Sequence, residues 1–108
     1  MNDAEIATTQ SLFRDVNERI AESAQRIEGT YAQFVCECAD STCTEQVHAP
    51  VARYEQVRQD STHFLLAPGH SDQRYERVID RRRRYEVVEK FRRAIAARVR
   101  RLDPRRYA

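Results

Sequence analysis

Cys36, Cys38 and Cys43 fall within eight residues and are the only thiols in the 108-residue chain, and a histidine follows at Pro68-Gly69-His70. Three thiolates and one imidazole make a complete four-coordinate set for zinc, which takes sulfur at about 2.3 Å and nitrogen at about 2.0–2.1 Å. The spacing Cys-x-Cys-x4-Cys differs from the common Cys-x2-Cys knuckle. On a regular strand, alternate residues share a face with their Cα atoms about 6.5 Å apart, so the chain must bend near Glu37–Ala39 before both sulfurs reach one ion. His70 is the expected fourth ligand, because a residue just after Pro-Gly sits on a fixed turn rather than on a packed face. His48, which precedes a helix, and His63, which adjoins a buried strand, are the alternatives. Closure of the three thiolates by water or a carboxylate, and thiols without metal, also remain open.

The elements that must position these ligands can be read from the pattern of apolar residues. A helix is expected from Ala4 to Glu28, with Phe13, Val16, Ile20, Ala24 and Ile27 at spacings of three and four and with Leu12 and Ile6 alongside. Arg14, Asp15, Glu18, Arg19, Glu22 and Gln25 fall on its other faces. Gly29 can take the positive φ of a helix end. Thr30 to Cys38 reads as a strand that places Cys36, Cys38 and Phe34 on one face and Val35 and Glu37 on the other. Ala39–Thr42 is turn-like, and Glu45–His48 returns, so the hairpin carries the thiols at its tip.

Pro50 suits the start of a second helix reaching Asp60, with Val51, Tyr54 and Val57 inward, although Ala49 is a poor cap. His63–Ala67 reads as a short buried strand ended by Pro68-Gly69. Tyr75–Asp80 and Tyr85–Lys90 form a second hairpin around Arg81–Arg84, with apolar content from Val78-Ile79 and Val87-Val88. A last helix, Phe91–Leu102, places Phe91, Ile95, Val99 and Leu102 on one stripe before Asp103-Pro104 stops it. The order α-β-β-α-β-β-β-α predicts a small single α+β domain with short β-hairpins around the zinc site. Its parts are an N-terminal amphipathic helix (1–29), a zinc-binding core (30–90) and a basic C-terminal helix and tail (91–108).

Size and charge bound the possibilities further. Hydrophobic residues make up 41% and charged residues 33% of the chain, so it is globular but heavily solvated, and a metal staple would strengthen so small a core. No apolar run approaches the roughly 20 residues of a membrane span, and Met1-Asn2-Asp3-Ala4-Glu5 is unlike a signal peptide. A cytoplasmic location is therefore expected, where clustered thiols more often bind metal than pair. Residues 81–108 carry 12 basic and 3 acidic side chains, a net +9, whereas the remaining 80 carry 7 and 14, a net −7. A basic tail on an acidic body can meet an acidic partner or nucleic acid, or pair with itself within or between chains.

Several segments together resemble a recurring pattern: Asn17-Glu18-Arg19-Ile20, Phe34-Val35-Cys36-Glu37-Cys38-Ala39-Asp40, Cys43-Thr44-Glu45, Tyr54-Glu55-Gln56-Val57-Arg58, Ala67-Pro68-Gly69-His70 and Tyr85-Glu86-Val87-Val88-Glu89-Lys90. The pattern is similar to that of a family of small, functionally uncharacterised proteins of actinobacterial type. The resemblance implies that the three cysteines and Pro-Gly-His belong to one module, which favours His70 over His48 and His63. It implies no activity. The chain departs from the pattern at Ala49, where a threonine is usual, and in the basic tail after Lys90.

The function expected from these features is non-enzymatic. Four protein ligands leave no open position on zinc. There is no Ser-His-Asp pattern and no phosphate-binding glycine loop, and Gly29 and Gly69 are the only glycines. A zinc-stabilised, regulatory protein-interaction module is the first expectation, docking an unidentified protein or a second copy through either terminal helix. Nucleic-acid binding through Arg81, Arg82, Arg83, Arg84, Arg92, Arg93, Arg100 and Arg101 is the second. A zinc–thiolate redox sensor is the third.

Overall fold

The computed structural model describes residues 1–24 and 29–106. Its elements follow the expected order: α1 (Asp3–Ala24), β1 (Tyr31–Val35), β2 (Gln46–Pro50), α2 (Val51–Val57), β3 (His63–Leu66), β4 (Glu76–Arg81), β5 (Glu86–Lys90) and α3 (Arg93–Arg101). Together they form an α+β fold in which β1 and β2 make a two-stranded antiparallel sheet and β3-β5-β4 a three-stranded one. None of the helices among the described residues is long and apolar enough to cross a membrane. The expected end of the first helix, with Ile27 and Glu28, lies outside the described residues.

Helix α1 begins on a reciprocal cap. Asn2 Oδ1 accepts the Glu5 backbone N–H at 2.8 Å, and Asn2 Nδ2 donates to Glu5 Oε1 at 2.9 Å, which satisfies an otherwise orphaned donor and places negative charge in the first turn. The face that α1 buries is not the expected apolar stripe. Ile6 is buried, and Phe13, Ile20 and Ala24 are half-buried, but Leu12 and Val16 are exposed, Leu12 at 61%. The inward face is Ala7, Gln10, Arg14, Asn17 and Ala21, and Arg14, expected in solvent, is 0% exposed.

Unpaired backbone groups explain this inversion. Arg14 Nη1 and Nη2 each donate at 2.7 Å, to the carbonyls of Ser61 and Val99. Asn17 treats the edge of β1 as a strand neighbour would, accepting from Val35 N and donating to Val35 O, both at 2.8 Å. Buried carbonyls and amides without partners cost more than a few half-buried methyl groups gain, so donors win the inward face. The guanidinium of Arg14 is flanked by an aromatic ring, lying 4.9 Å from the centroid of Phe64.

The β1–β2 hairpin is in register Phe34↔Val47 and Ala32↔Ala49, with Phe34, Val47 and Ala49 buried and Phe34 stacked on Tyr54 of α2 at 4.6 Å. The strand expected over Thr30–Cys38 ends at Val35 because the chain changes partners. Cys36 N–H still bonds to Glu45 O at 3.1 Å, but Glu37 N–H turns to Leu65 O at 2.9 Å. One three-residue segment therefore ties the first sheet to β3.

Helix α2 buries Val51, Tyr54 and Val57 as expected. Pro50 stands in the N-cap position rather than inside the helix. The helix stops short of Asp60, whose Oδ1 instead accepts Thr62 N–H at 2.9 Å in a side-chain turn. In the second hairpin the register shifts between Val78 and Asp80, so Ile79, expected in the apolar content, becomes the extra residue of a bulge and is exposed. In α3, Ile95 and Val99 are buried, while Phe91 and Leu102, expected on the same stripe, lie outside the helix and are exposed.

Charge asymmetry is partly consumed inside the chain. Buried Arg58 bonds to Asp103 at 2.5 Å and pairs with Glu18, and Arg105 bonds to Glu18 at 3.1 Å and to Glu55 at 2.8 and 3.0 Å. The basic end of the chain is thus clamped onto acids of α1 and α2. Asp103 is pulled down to about 2: burial alone would raise it, but hydrogen bonds from Arg58, Ser61 and the Arg105 N–H outweigh that cost.

The inverted face of α1 makes opposite predictions for adjacent positions. Replacing Arg14 with alanine opens a cavity and strands two buried carbonyls, so a loss of about 3 kcal/mol or more is expected. Leu12→Ala is expected to cost less than about 0.5 kcal/mol. Urea unfolding midpoints of the two variants check the order; a larger loss for Leu12→Ala would mean that the apolar stripe is the buried one.

Candidate metal centre

Two short loops build the cluster. The first, residues 36–45 at the tip of the β1–β2 hairpin, is shaped by Asp40, whose Oδ1 accepts Thr42 N–H at 2.9 Å and Thr42 Oγ1–H at 2.7 Å, while its carbonyl accepts Cys43 N–H at 3.0 Å. This turn doubles the chain back so that Cys43 faces Cys36 and Cys38. The second loop, Ala67–His70, is closed by His70 N–H to Ala67 O at 3.2 Å. Pro68 fixes one central φ, and Gly69 takes φ +82, a value open to glycine at little cost.

The structure brings all four expected ligands together. Cys36 Sγ, Cys38 Sγ, Cys43 Sγ and a ring nitrogen of His70 lie within 4.8 Å of one another, a group that could hold a metal ion. His70 presents Nδ1, which stands 3.6 Å from both Cys36 Sγ and Cys43 Sγ. Cys36 and Cys38 are buried and Cys43 is half-buried. The Ala67 N–H donates to Cys36 Sγ at 3.2 Å, a contact that favours the thiolate.

The thiols also perturb one another. A hydrogen bond from Cys36 pulls Cys38 down to about 5 against the opposing effect of burial, with His70 adding to the pull. The same bond pushes Cys36 up, and burial reinforces it. Burial raises Cys43 as well. A bound cation would favour the deprotonated form of all three thiols.

Two carboxylates brace the ligands without belonging to the set. Glu37, between Cys36 and Cys38, points the opposite way into the core. There it accepts from Asn17 Nδ2 and Leu65 N–H at 2.8 Å and from the Tyr54 hydroxyl at 3.1 Å. Glu86, at the start of β5, accepts Gly69 N–H at 2.5 Å with one oxygen and Arg81 Nε–H at 2.9 Å with the other. It thereby pins the turn that carries His70.

The alternative histidines lie elsewhere. His48 stacks on Tyr31 at 5.1 Å. His63 Nε2 is 3.0 Å from Glu89 and 3.5 Å from Asp60, and these three form a second, more exposed group close enough to share an ion. Glu89 already holds Arg77 there. This group was not anticipated, yet the chain carries a signal for it. Asp60-Ser61-Thr62-His63 repeats the turn Asp40-Ser41-Thr42-Cys43 with the same Asp-to-Thr bonds at 2.9 and 2.7 Å, so each Asp-Ser-Thr turn presents one metal-type ligand at its end.

The arginines expected to contact a partner fall in two separate places. Arg81, Arg82, Arg83 and Arg84 ring the β4–β5 turn, all exposed, with Arg81 paired to Glu86 and Arg82 to Asp80. Arg92, Arg93, Arg100 and Arg101 are exposed at the two ends of α3, and Arg92 approaches Asp3 at 3.5 Å.

Compared with family models, curated proteins and solved structures, the chain matches none.

Glu86→Ala is expected to release the Pro-Gly-His turn and weaken metal binding about tenfold or more, the effect usual for groups that orient a ligand without touching the metal. Competition with a chromophoric chelator measures this, and an affinity unchanged from that of the parent chain would show that Glu86 does not position His70.

Proposed function

We propose that the chain is a non-enzymatic protein-interaction module whose fold is completed by one structural zinc ion held by Cys36, Cys38, Cys43 and His70. One observation carries this reading. A tetrahedral ion with sulfur at about 2.3 Å and nitrogen at about 2.05 Å needs an S···N edge of about 3.6 Å, and His70 Nδ1 stands 3.6 Å from two of the three sulfurs. Those edges therefore fit zinc without rearrangement, and three thiolates with one imidazole favour it over harder cations.

The ion would cross-link the hairpin tip to the Ala67–His70 turn and add its binding free energy to folding. With four protein donors in place, no position remains for water or substrate, which supports an architectural role rather than a hydrolytic one. The interaction surface we favour is α3. It turns Ile95 and Val99 inward and leaves Arg93, Arg98, Arg100 and Arg101 exposed, a distribution suited to an acidic face on a partner protein.

Purified protein is expected to carry about one zinc per chain, with removal by chelator lowering the melting temperature. Cys36→Ser and Cys43→Ser should lose the metal and destabilise the fold, and His70→Ala should bind it more weakly. Metal analysis alongside thermal melts tests the set, and full zinc affinity in His70→Ala would contradict the ligand assignment.

A further inference from the structure

A second constellation stands apart from the four thiol and imidazole ligands, where the β4–β5 turn faces the outer side of the β1–β2 hairpin. Alternation along the hairpin sends Phe34, Val47 and Ala49 inward and leaves Tyr31, His48 and Pro50 on the outer face. Tyr31 and His48 stack at 5.1 Å, only 16° from parallel, and Tyr31 stays 58% exposed. Across from them stand Arg82, Arg83, Arg84 and Tyr85, and the cleft between measures about 500 Å³, within the range of about 300–1,000 Å³ usual for small-ligand sites.

The charges of this cleft are one-sided. Among the described residues, no carboxylate lines it. Arg81 and Arg82 are engaged by Glu86 and Asp80, but Arg83 and Arg84 are exposed and have no hydrogen-bond or ion-pair partner among the described residues. Two free guanidinium groups beside a stacked aromatic pair, of which Tyr31 is exposed and His48 half-buried, match a ligand that combines a planar ring with an anionic group. A carboxylate-rich peptide would satisfy the arginines and leave the aromatic platform unused. A base in a duplex has its faces covered by its neighbours, whereas an unpaired base offers one to Tyr31.

We propose that this cleft binds a nucleotide of a single-stranded nucleic acid, with the base stacked on Tyr31 and the flanking phosphates held by Arg83 and Arg84. The α3 arginines line no part of the cleft. The site goes beyond the protein-interaction reading and does not rest on it.

Fluorescence anisotropy of labelled oligo-dT and oligo-rU of about 12 nucleotides, a length in the range of known single-strand sites, tests the proposal on the full zinc-loaded chain. Binding is expected at low salt and should weaken as salt rises, with a log–log slope of about −1.4 for two phosphate contacts. Tyr31→Ala should lower affinity about 5- to 100-fold while Tyr31→Phe retains it. The double variant Arg83→Gln/Arg84→Gln should bind more weakly and flatten the salt slope. All three positions are exposed, so unchanged melting temperature and zinc content separate this outcome from failure of the metal site. The proposal is overturned by absence of binding at low salt, or by affinity indifferent to Tyr31→Ala. Equal binding of a duplex of the same length, or equal competition by uridine monophosphate or polyglutamate, would also overturn it.

Discussion

Glu37 faces away from Cys36 and Cys38 on either side of it, and that three-residue stretch sets the terms for everything around it. Two thiols face the metal-type cluster on one side, so the residue between them must face the other side, which is the core. The chain places a carboxylate there, and burial pushes its pKa up while the Leu65 N–H, Asn17 and nearby Arg14 and Arg58 pull it down. An isolated buried carboxylate would cost several kcal/mol. Glu37 is tolerable because each of its neighbours needs an acceptor: the Leu65 N–H at the edge of β3, the amide of Asn17 and the hydroxyl of Tyr54. The Gln10 amide meanwhile takes the Glu37 carbonyl at 2.9 Å. Cluster and core are thus two sides of one segment.

That arrangement also explains why α1 turns a polar face inward. Gln10, Arg14 and Asn17 lie one above another on the helix and reach respectively the carbonyl of Glu37, the carbonyls of Ser61 and Val99, and the edge of β1. The Arg58 cluster extends the same logic to the end of the chain, where Asp103 and Arg105 are bound back onto Arg58, Glu18 and Glu55. A second buried pair, Lys90 with Glu76, closes the far side, with the Lys90 ammonium 4.5 Å from the Tyr75 ring centroid. Networks of this kind are poor sources of net stability compared with apolar packing, but removing one partner is costly because the other is left charged and dry.

Much of this was legible in the sequence, for identifiable reasons. The element order followed from apolar periodicity and from Gly and Pro. The grouping of the three thiols with His70 followed because every thiol lies in one loop and because Pro68-Gly69 announces a fixed turn before His70. Helix α1 misled because Arg14 and Asn17 recur at the same spacing as a solvated face, and only the backbone groups opposite them, distant in sequence, make that face interior. The early end of β1 was hidden for a similar reason: Glu37 finds its partner in Leu65, across a separation that no local pattern encodes. Glu86 reads as one more charge on a strand until Gly69 is placed beside it.

The proposed centre closes around zinc with three sulfurs and one nitrogen and no solvent ligand. X-ray absorption at the zinc edge of the purified protein tests it most directly. A four-coordinate shell is expected, with three sulfur scatterers at about 2.3 Å and one nitrogen at about 2.0–2.1 Å. A shell with fewer than three sulfurs, or with an added oxygen from exchangeable water, would contradict it.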